Sequence, residues 1–596
     1  MLPIEDYALI GDCETAALVG RNGSIDWLPL PSFDSSACFA ALLGTPDNGR
    51  WLLSPRGDVI GVRRWYHPGT LILETEFTTK DGVVSLIDFM PVRSRLPDLV
   101  RKVVGRKGQV PMQLELIIRF DYGSIVPWVR STPRGISAIG GPDSLTLRSD
   151  VRLRGENFHT KADFVVSENQ HVNFDLTWHP SHVALEDELD VEEALDRTGT
   201  WWRVWSDRCT VGGPWRDAVV RSLVTMKALT YAPTGAIVAA PTTSLPESFG
   251  GVRNWDYRYC WLRDATFTLL ALMNAGYTDE ARAWRDWLLR TVAGRPEQIQ
   301  ITYGIRGERR LPELELPWLS GYESSRPVRI GNAASSQRQL DVYGEMLDAV
   351  HQGWRMGVPT DENAWRVEKA LITHLESAWK EPDEGLWEVR GPRRHFTHSK
   401  MMAWVALDRA VKGIESFGLE GPLDHWRLVR DAIHHDVCAN GYNAKVGAFV
   451  QYYGSDLLDA SLLMMPLVGF LPISDERVRR TVAAIERDLM TDGFVHRYRT
   501  VEDVDGLPPG EASFLLCSFW MADTLQLLGR HDDALRQFER LLAIRNDVGL
   551  LAEGYDIGRK RLAGNFPQAF SHVGLINTAM NLTSWHRAPA TERAAP

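Results

Sequence analysis

The periodicity of the hydrophobic residues changes once along the chain, near residue 195, and this change limits the fold more than any other feature. Before it, short runs of Val, Ile, Thr and Phe alternate with turn residues, for example in residues 70–79, 113–120 and 144–149. Repeated short strands separated by turns are typical of an antiparallel β-sandwich. From about residue 215 onward, apolar residues recur with the period of an α-helix. The sequence therefore predicts a β domain followed by a helical domain.

The helical pattern divides into twelve segments whose connections alternate in length. The predicted segments are 215–231, 263–276, 278–294, 335–356, 361–380, 397–413, 422–440, 457–469, 474–490, 511–529, 530–545 and 567–586. Connections after the odd-numbered segments are long, and those after the even-numbered segments are short. If neighbouring helices are antiparallel, every long connection emerges at the same end. Since long loops are usually functional, twelve helices closed into a double ring would present one loop-rich face over a central pocket.

The 596 residues are too many for one ordinary core, and we expect three parts. They are a β-sandwich domain at residues 1–190, a helical linker at residues 191–214, and a helical domain at residues 215–596. A connecting helix is predicted at residues 186–206. Its three tryptophans, Trp201, Trp202 and Trp205, are expected to pack between the domains.

Composition excludes several classes of partner. The formal net charge of −11 argues against nucleic acid, because phosphate binding needs a basic face, and it suits a small neutral ligand. No apolar run approaches the ~18 residues of a membrane-spanning helix, so no membrane partner is expected. The first residues show no basic segment followed by an apolar one, so no secretory signal is predicted. The six cysteines are scattered, and we expect reduced thiols in a cytoplasmic protein.

The predicted loop at residues 250–264 is dense in Arg, Asp and aromatic residues. Ionised carboxylates and guanidinium groups accept from and donate to neighbouring sugar hydroxyls, and aromatic rings stack on the flat faces of a sugar. The same composition also suits a buried network of salt bridges. From the residues alone, both interpretations stay open.

Two glutamates in long loops suggest acid/base chemistry. Glu388 follows Leu386 and Trp387, and an apolar setting raises a carboxyl pKa, as a general acid needs near neutrality. Arg390 would oppose that shift if it pointed at the carboxyl. Glu553 also lies in an apolar stretch, six predicted helices further along. Half a ring apart, the two carboxyls would face each other across the pocket, which is the arrangement that flanks a glycosidic bond.

Other catalytic motifs are missing from the sequence. There is no nucleophile-elbow GxSxG, no HExxH zinc motif, no P-loop and no GxGxxG that opens a helix. His395 with His398, or His434 with His435, are better interpreted as structural or substrate-facing histidines than as metal ligands. We therefore expect neither a metal nor a cofactor.

Several segments together resemble glycoside hydrolase family 15, which comprises glucoamylases and related bacterial and archaeal trehalases. Residues 4–19 and 23–28 are similar to the amino-terminal domain of the trehalase-like branch. The family's W-x-R-D element matches Trp261–Asp264 by position, and its acid and base elements match residues 385–388 and 551–553. The resemblance implies an amino-terminal antiparallel β-sandwich followed by a six-hairpin α/α barrel of twelve helices, with the catalytic domain at residues 215–596.

The resemblance also implies roles for individual residues. Glu388 is expected to be the general acid and Glu553 the general base, while Arg263 and Asp264 are expected to bind the terminal glucose. Further positions are expected either to contact the sugar or to support a residue that does. They are Trp255, Arg258, Trp261, Tyr322, Asn332, Gln339, Asp341, Trp387, Arg394, His398, Lys400 and His572.

The expected activity is that of an inverting, exo-acting glycoside hydrolase that releases glucose from α-glucosides, with α,α-trehalose as the favoured substrate. The absence of a secretory signal and of a starch-binding module favours trehalose over starch. Three alternatives stay open: a glucoamylase-like or isomaltose-type α-glucosidase that acts on short oligosaccharides, an inverting disaccharide phosphorylase, and a sugar-binding protein without catalysis. Nothing in the sequence opposes a homo-oligomer.

Overall fold

The computed structural model describes residues 1–185, 188–292, 294–358, 362–500 and 502–583. Parts of four predicted segments lie outside these ranges. They are residues 186–187 of the predicted connecting helix, residue 293 of the third predicted helix, residue 361 of the fifth, and residues 584–586 of the twelfth.

The amino-terminal part is built from fifteen strands, and every strand pair in it is antiparallel, as predicted. The strands are β1 Tyr7–Gly11, β2 Ala16–Gly20, β3 Ser24–Pro29, β4 Ala37–Phe39, β5 Arg50–Pro55, β6 Val59–Tyr66, β7 Leu73–Thr79, β8 Gly82–Phe89, β9 Asp98–Ile117, β10 Trp128–Thr132, β11 Gly135–Gly140, β12 Asp143–Ser149, β13 Arg154–Glu156, β14 His159–Ser167 and β15 His171–Pro180. The predicted strands at residues 70–79, 113–120 and 144–149 correspond to β7, to the second half of β9 and to β12.

The long strand β9 joins two groups of strands. Its first half pairs with β8 and β15, and its second half pairs with β5 and β14. The first group continues through β15, β12, β11 and β10, and the second continues through β5, β3, β2 and β1. Side chains of both groups, including Trp27, Trp51 and Phe174, are fully buried in one hydrophobic core.

Fourteen helices lie in the described part of the chain. They are α1 Val191–Ser206, α2 Arg216–Ala228, α3 Leu262–Asn274, α4 Thr278–Thr291, α5 Asp341–Arg355, α6 Glu362–Ala378, α7 Thr397–Phe417, α8 Leu423–Asn440, α9 Met464–Leu467, α10 Glu476–Asp488, α11 Glu502–Asp505, α12 Leu515–Leu527, α13 His531–Ala543 and α14 Ala569–Thr583. Eleven predicted segments correspond to full helices, which are α2–α8, α10 and α12–α14, and α1 covers most of the predicted connecting helix.

The eighth predicted helix, at residues 457–469, is wrong in extent. Asp459 caps a 3-10 turn by accepting a hydrogen bond from Ser461 N, and only four residues then form α9. Pro466 lies in that single turn and has no N–H to extend the hydrogen-bond ladder. The four-residue helix α11 was not predicted.

Burial alternates from helix to helix. Helices α3, α5, α7, α12 and α14 are buried around most of their surface, whereas α4, α6, α8, α10 and α13 each bury one face. An amphipathic helix at the outside of a helical layer needs only one apolar stripe, while an inner helix is apolar all round. The buried helices pack against one another in the order α12, α14, α3, α5 and α7.

Short two- and three-residue strands brace the loops between the helices. They are β16 Thr230–Tyr231, β17 Ala236–Ile237, β18 Cys260–Trp261, β19 Thr302–Tyr303, β20 Leu314–Glu315, β21 Arg329–Ile330, β22 Tyr442–Asn443, β23 Ala448–Phe449, β24 Met490–Thr491, β25 Phe494–Val495, β26 Ser513–Phe514, β27 Gly554–Asp556 and β28 Arg561–Ala563. Strand β27 pairs with both β26 and β28, which fixes the loop directly after Glu553.

Two loops of the helical part are held by the β part. The indole of Trp27 donates to the carbonyl of Pro241 at 2.8 Å. The amide of Asn546 donates to the carbonyl of Tyr7 at 2.8 Å. In α1, Trp205 stacks on Tyr277 with ring centroids 4.2 Å apart, in agreement with the packing role expected for its three tryptophans.

Candidate active site

A cavity of about 940 Å³, measured to its open mouth, lies at the loop-rich end of the buried helices. The connections that follow α2, α4, α6, α10 and α13 all contribute residues to its wall. Much of the wall is aromatic, from Trp255, Tyr257, Trp261, Phe267, Trp387, Phe514, Trp520 and Phe570. Its charged and polar residues are Glu247, Arg253, Arg263, Asp264, Asn332, Gln337, Glu345, Glu388, Arg390, His398, Arg497 and Gln568. This composition suits a polar ligand with apolar faces, such as a sugar.

Glu388 lies in the loop between α6 and α7 and reaches the cavity. Its Oε1 accepts from the indole of Trp261 at 2.7 Å and from the guanidinium of Arg263 at 3.2 Å. Its backbone has a φ of +57°, in the left-handed region that non-glycine residues seldom adopt. Gln337 donates to the Glu388 carbonyl at 3.2 Å. Such a conformation persists only where surrounding contacts fix it, and it is common at functional sites.

Arg263 and Asp264 occupy the first turn of α3, at the inner end of the cavity. Arg263 donates to Gln339 Oε1 at 3.1 Å and forms an ion pair with Asp341 at 3.5 Å. The pKa of Asp264 is raised to about 7, mainly by burial; Arg263 opposes the rise and Glu388 contributes to it. Gln339 and Asp341 themselves do not line the cavity; they hold the Arg263 side chain, which does.

Glu553 is 2% exposed and lies behind the cavity wall. Its Oε1 accepts from the hydroxyl of Tyr257 at 2.8 Å, and its Oε2 accepts from the backbone N–H of Asn565 at 3.2 Å. Burial raises its pKa to about 8, and the charge of Glu247 adds to the rise, while Arg497 and the hydrogen bond from Tyr257 oppose it.

A second, smaller cavity of about 190 Å³ adjoins Glu553. Glu247, Arg497 and Phe514 line both this cavity and the larger one, so the two spaces share a wall. The aromatic ring of Tyr257 also contacts Trp261, with centroids 5.3 Å apart. A short chain of contacts therefore runs from Glu553 through Tyr257 and Trp261 to Glu388.

Other residues expected at the site also line the cavity. Two guanidinium groups lie over the ring of Trp255, that of Arg390 4.1 Å and that of Arg329 4.5 Å from its centroid. Trp387 donates its indole N–H to Asp459 at 3.0 Å. Asn332 and His398 complete this set. Burial lowers the pKa of His398 to about 3, so its ring is neutral.

Arg258 and Tyr322 were expected to contact the sugar or to support a residue that does, but the structure places both outside the cavity wall. Arg258 is fully buried, forms an ion pair with Asp256 at 2.7 Å and donates to the carbonyl of Ser35 in the β part at 2.8 Å. Tyr322 donates its hydroxyl to the carbonyl of Leu2 at 2.8 Å. Both residues join the β part to the helical part and lie away from the cavity wall.

Three further residues of the expected set also lie outside the wall. Arg394 stacks on the ring of Tyr452, 4.5 Å from its centroid. Lys400 is buried and donates to the carbonyls of residues 379 and 381. His572 accepts from the N–H of Leu551 at 3.3 Å through Nε2 and contacts the hydroxyl of Ser222 at 2.9 Å through Nδ1. His572 therefore supports the segment that carries Glu553, whereas Arg394 and Lys400 support the start of α7.

An ion-pair network beside Glu553 was not anticipated from the sequence. Arg497 binds Glu247 at 2.7 Å and Glu511 at 3.1 Å. Arg253 binds Asp505 at 2.6 Å on the same side of the cavity. These residues come from two connections far apart in sequence, one between α2 and α3 and the other between α10 and α12, and no local motif connects them. Only Arg253 falls within the loop at residues 250–264 that the sequence singled out.

Among the described residues, no group of three or more His, Cys, Asp and Glu side chains is arranged to hold a metal ion. In the same part of the chain, no helix has the length and apolarity needed to cross a bilayer.

Comparison with known proteins identifies the family of the chain. The family model described as "Glycosyl hydrolases family 15" matches residues 213–580, and a model described as "Trehalase-like, N-terminal" matches residues 1–196. The trehalase of Mycolicibacterium smegmatis is 40% identical over 616 aligned positions, which cover 97% of this chain and 91% of that protein. The trehalase of Thermoplasma volcanium is 34% identical, with 97% of this chain and 93% of that protein covered.

A solved structure has the same overall fold. A bacterial glucoamylase determined in complex with acarbose superimposes with a TM-score of 0.72 at 13% sequence identity, over 98% of this chain and 94% of that one. At that identity, the likeness describes the fold alone. Because the family model covers more than half of the chain and the full-length relatives exceed 30% identity, the chain belongs to glycosyl hydrolases family 15 and is a glycoside hydrolase.

Proposed function

We propose that this glycoside hydrolase cleaves α,α-trehalose with inversion of configuration. The observation that carries the proposal is the pair of glutamates, Glu388 in the cavity and Glu553 at its wall, connected through Tyr257 and Trp261. The names of its full-length relatives support the choice of trehalose, since two of them are trehalases at 40% and 34% identity. A glucosidase acting on isomaltose or short maltooligosaccharides is the second candidate, since an isomaltose glucohydrolase is 28% identical over part of the chain.

In the proposed reaction, Glu388 donates a proton to the glycosidic oxygen as the bond from that oxygen to C1 breaks. A water molecule attacks C1 from the opposite face, and Glu553 accepts its proton. The leaving sugar departs as a neutral alcohol, so no other reactant is needed. Glu553 must be ionised to act as the base, although burial and the charge of Glu247 raise its pKa to about 8.

Other residues receive roles from their positions. We assign Arg263 and Asp264 to the glucose at the inner end of the cavity, with His398 and Asn332 as further contacts and Gln339 and Asp341 as supports of Arg263. Trp255, Trp261 and Trp387 supply the aromatic wall. We also propose the domain division 1–190, 191–214 and 215–596, and the family-model matches at residues 1–196 and 213–580 support its two internal boundaries.

We further propose that the amino-terminal strands form a β-sandwich and that the helices close into a six-hairpin α/α barrel. The shared strand β9 and the single core of its two strand groups support the sandwich. The alternation of buried and amphipathic helices supports the barrel, and so do the contacts of α14 with both α12 and α3. The cytoplasmic location and a homo-oligomeric state stay predictions from the sequence.

Proton NMR of the reaction with trehalose, with and without inorganic phosphate, tests the function and its stereochemistry together. Inverting hydrolysis yields one β-glucose from the attacked unit and one α-glucose from the leaving unit, in equal amounts before mutarotation. Two α-glucose molecules would contradict inversion. Glucose 1-phosphate formed only when phosphate is added would identify a phosphorylase. If kcat/KM for trehalose is at least ten times lower than for isomaltose or maltose, the choice of trehalose is wrong and the glucosidase candidate replaces it.

A further inference from the structure

Glu345 is a third carboxyl at the cavity that the proposed reaction does not use. It lies on the buried helix α5, is 5% exposed and lines the cavity. The preceding residue, Gly344, packs against α7 so closely that a Cβ atom there would lie 2.2 Å from the carbonyl oxygen of Met402. This close approach of α5 and α7 places Glu345 and His398, one from each helix, at the same cavity.

The Glu345 carboxyl makes no hydrogen bond and no ion pair with any residue in the described part of the chain. Leaving a buried carboxyl unpartnered is costly, so native structures seldom do so without a functional reason. Two polar atoms of other residues that line the cavity, Arg263 Nε and His398 Nδ1, are buried without a partner. Unpartnered donors and acceptors at one end of a cavity indicate a polar ligand that would satisfy them.

Charge at this end of the cavity is unbalanced. Four carboxyls, those of Asp264, Asp341, Glu345 and Glu388, act electrostatically on the single guanidinium of Arg263. Arg263 forms ion pairs with Asp341 and Glu388, but not with Glu345. Burial raises the pKa of Glu345 well above its ordinary value, and the negative charge of Asp341 raises it further. Both effects disfavour the ionised form of this carboxyl.

We propose that Glu345 is a specificity-determining residue that hydrogen-bonds one hydroxyl of the sugar unit at the inner end of the cavity. A carboxyl accepts hydrogen bonds and also donates one when it is protonated, so in either state it can pair with an alcohol hydroxyl, which both donates and accepts. The proposal rests on the proposed function, since it requires a sugar in this cavity. It differs from the roles of Arg263 and Asp264 because Glu345 comes from another helix and has no protein partner.

The test measures the binding of glucose and of 2-, 3-, 4- and 6-deoxyglucose to the full-length protein. Tryptophan fluorescence can report binding without catalysis, since Trp261, Trp387 and Trp520 line the cavity. In the wild-type protein, removing the hydroxyl that Glu345 contacts should weaken binding about tenfold or more, because a buried polar group is then left unsatisfied. In Glu345→Leu, glucose should bind correspondingly more weakly. The penalty for that one deoxyglucose, meaning its loss of affinity relative to glucose, should fall to within about twofold, while the penalties for the other deoxyglucoses stay unchanged.

Glu345→Gln serves as the rescue variant, because an amide also donates and accepts. It should restore the wild-type pattern of penalties. Asp348→Asn is a matched control on the same helix, since Asp348 binds Arg409 and does not line the cavity; its pattern should stay as in the wild type. If Glu345→Leu does not fold, the unbranched Glu345→Met takes its place.

Two outcomes overturn the proposal. One is that the leucine or methionine variant keeps every wild-type penalty. The other is that all penalties change equally, which indicates a general disturbance of the cavity. Failure of the proposed function is distinguishable, because the wild-type protein would then neither cleave trehalose nor bind glucose.

Discussion

Glu247 and Glu553 line the same cavity of about 190 Å³, where the charge of Glu247 raises the pKa of Glu553. Arg497 forms an ion pair with Glu247 at 2.7 Å and lowers the pKa of Glu553. Two carboxyls and one guanidinium therefore share a buried space beside the proposed base. The pH at which Glu553 ionises depends on the balance among these three groups.

The first prediction follows from that balance. A general base is active when ionised, so kcat/KM should rise with pH as Glu553 loses its proton. Glu247→Gln removes a like charge, favours the ionised form of Glu553 and should move the rising limb of the pH profile to lower pH. The exposed Glu476, replaced by Gln, serves as the control and should leave the profile unchanged. A shift of the falling limb instead would assign Glu553 as the acid.

Tyr257→Phe should act in the opposite direction. The phenol donates to Glu553 at 2.8 Å, and a hydrogen bond to the ionised form lowers a carboxyl pKa. Its loss should move the rising limb to higher pH and lower kcat by about tenfold. Tyr322→Phe is the matched control, because that hydroxyl binds the carbonyl of Leu2 outside the cavity. Equal effects of the two substitutions would show that loss of a buried hydroxyl, and not contact with Glu553, is responsible.

The roles of the two glutamates can be separated by the leaving group. Glu388→Gln cannot protonate the glycosidic oxygen, so it should be severely impaired on trehalose and much less impaired on α-glucosyl fluoride, whose leaving group needs little protonation. Glu553→Gln should be slow on both substrates. Glu384→Gln, in the same loop but outside the cavity wall, should retain activity. Wild-type turnover of trehalose by either folded catalytic variant removes that glutamate from the mechanism.

Arg258 should matter for stability and not for substrate binding. Arg258→Met leaves the carboxylate of Asp256 buried without its partner, which should lower the free energy of unfolding by about 3–5 kcal/mol. Urea denaturation measures this loss. Arg63→Met, which breaks an exposed pair with Glu76, should cost at most about 1 kcal/mol. An increase in KM for trehalose in the folded Arg258→Met protein would return Arg258 to the sugar site.

The sequence predicted most helices because their apolar periodicity is a local signal that the core preserves. Residues 457–469 are the exception. Their apolar residues recur as they do in a helix, but Pro466 limits the helical turn there to α9. In the loop at residues 250–264, composition identified the region but not the direction of each side chain. Successive side chains of extended backbone point to opposite sides. Trp255 and Tyr257 accordingly line the cavity, while Arg258 faces the β part.

Long-range partners were beyond the reach of the sequence. Tyr257 and Glu553 are 296 positions apart, and nothing in either local segment specifies their hydrogen bond. The same limit explains why Glu247 and Arg497 were missed, since each lies in a loop without a motif of its own. Glu345 was missed for another reason: on a helix that is buried nearly all round, a single acid resembles one more internal polar residue.

The β part contributes no residue to the cavity wall in the described chain, yet it holds the loops that lead to Tyr257 and Glu553, through Trp27 and Asn546. Preference for one sugar over another thus depends on residues of the helical part, whereas the relative placement of the two carboxyls also depends on the β part. Substitutions in the cavity wall can therefore change which sugar is preferred without disturbing the contacts of Trp27 and Asn546 between the two parts. Conversely, substitutions that break these contacts should alter turnover for every sugar alike, so the contacts affect the rate of the reaction independently of which sugar is bound.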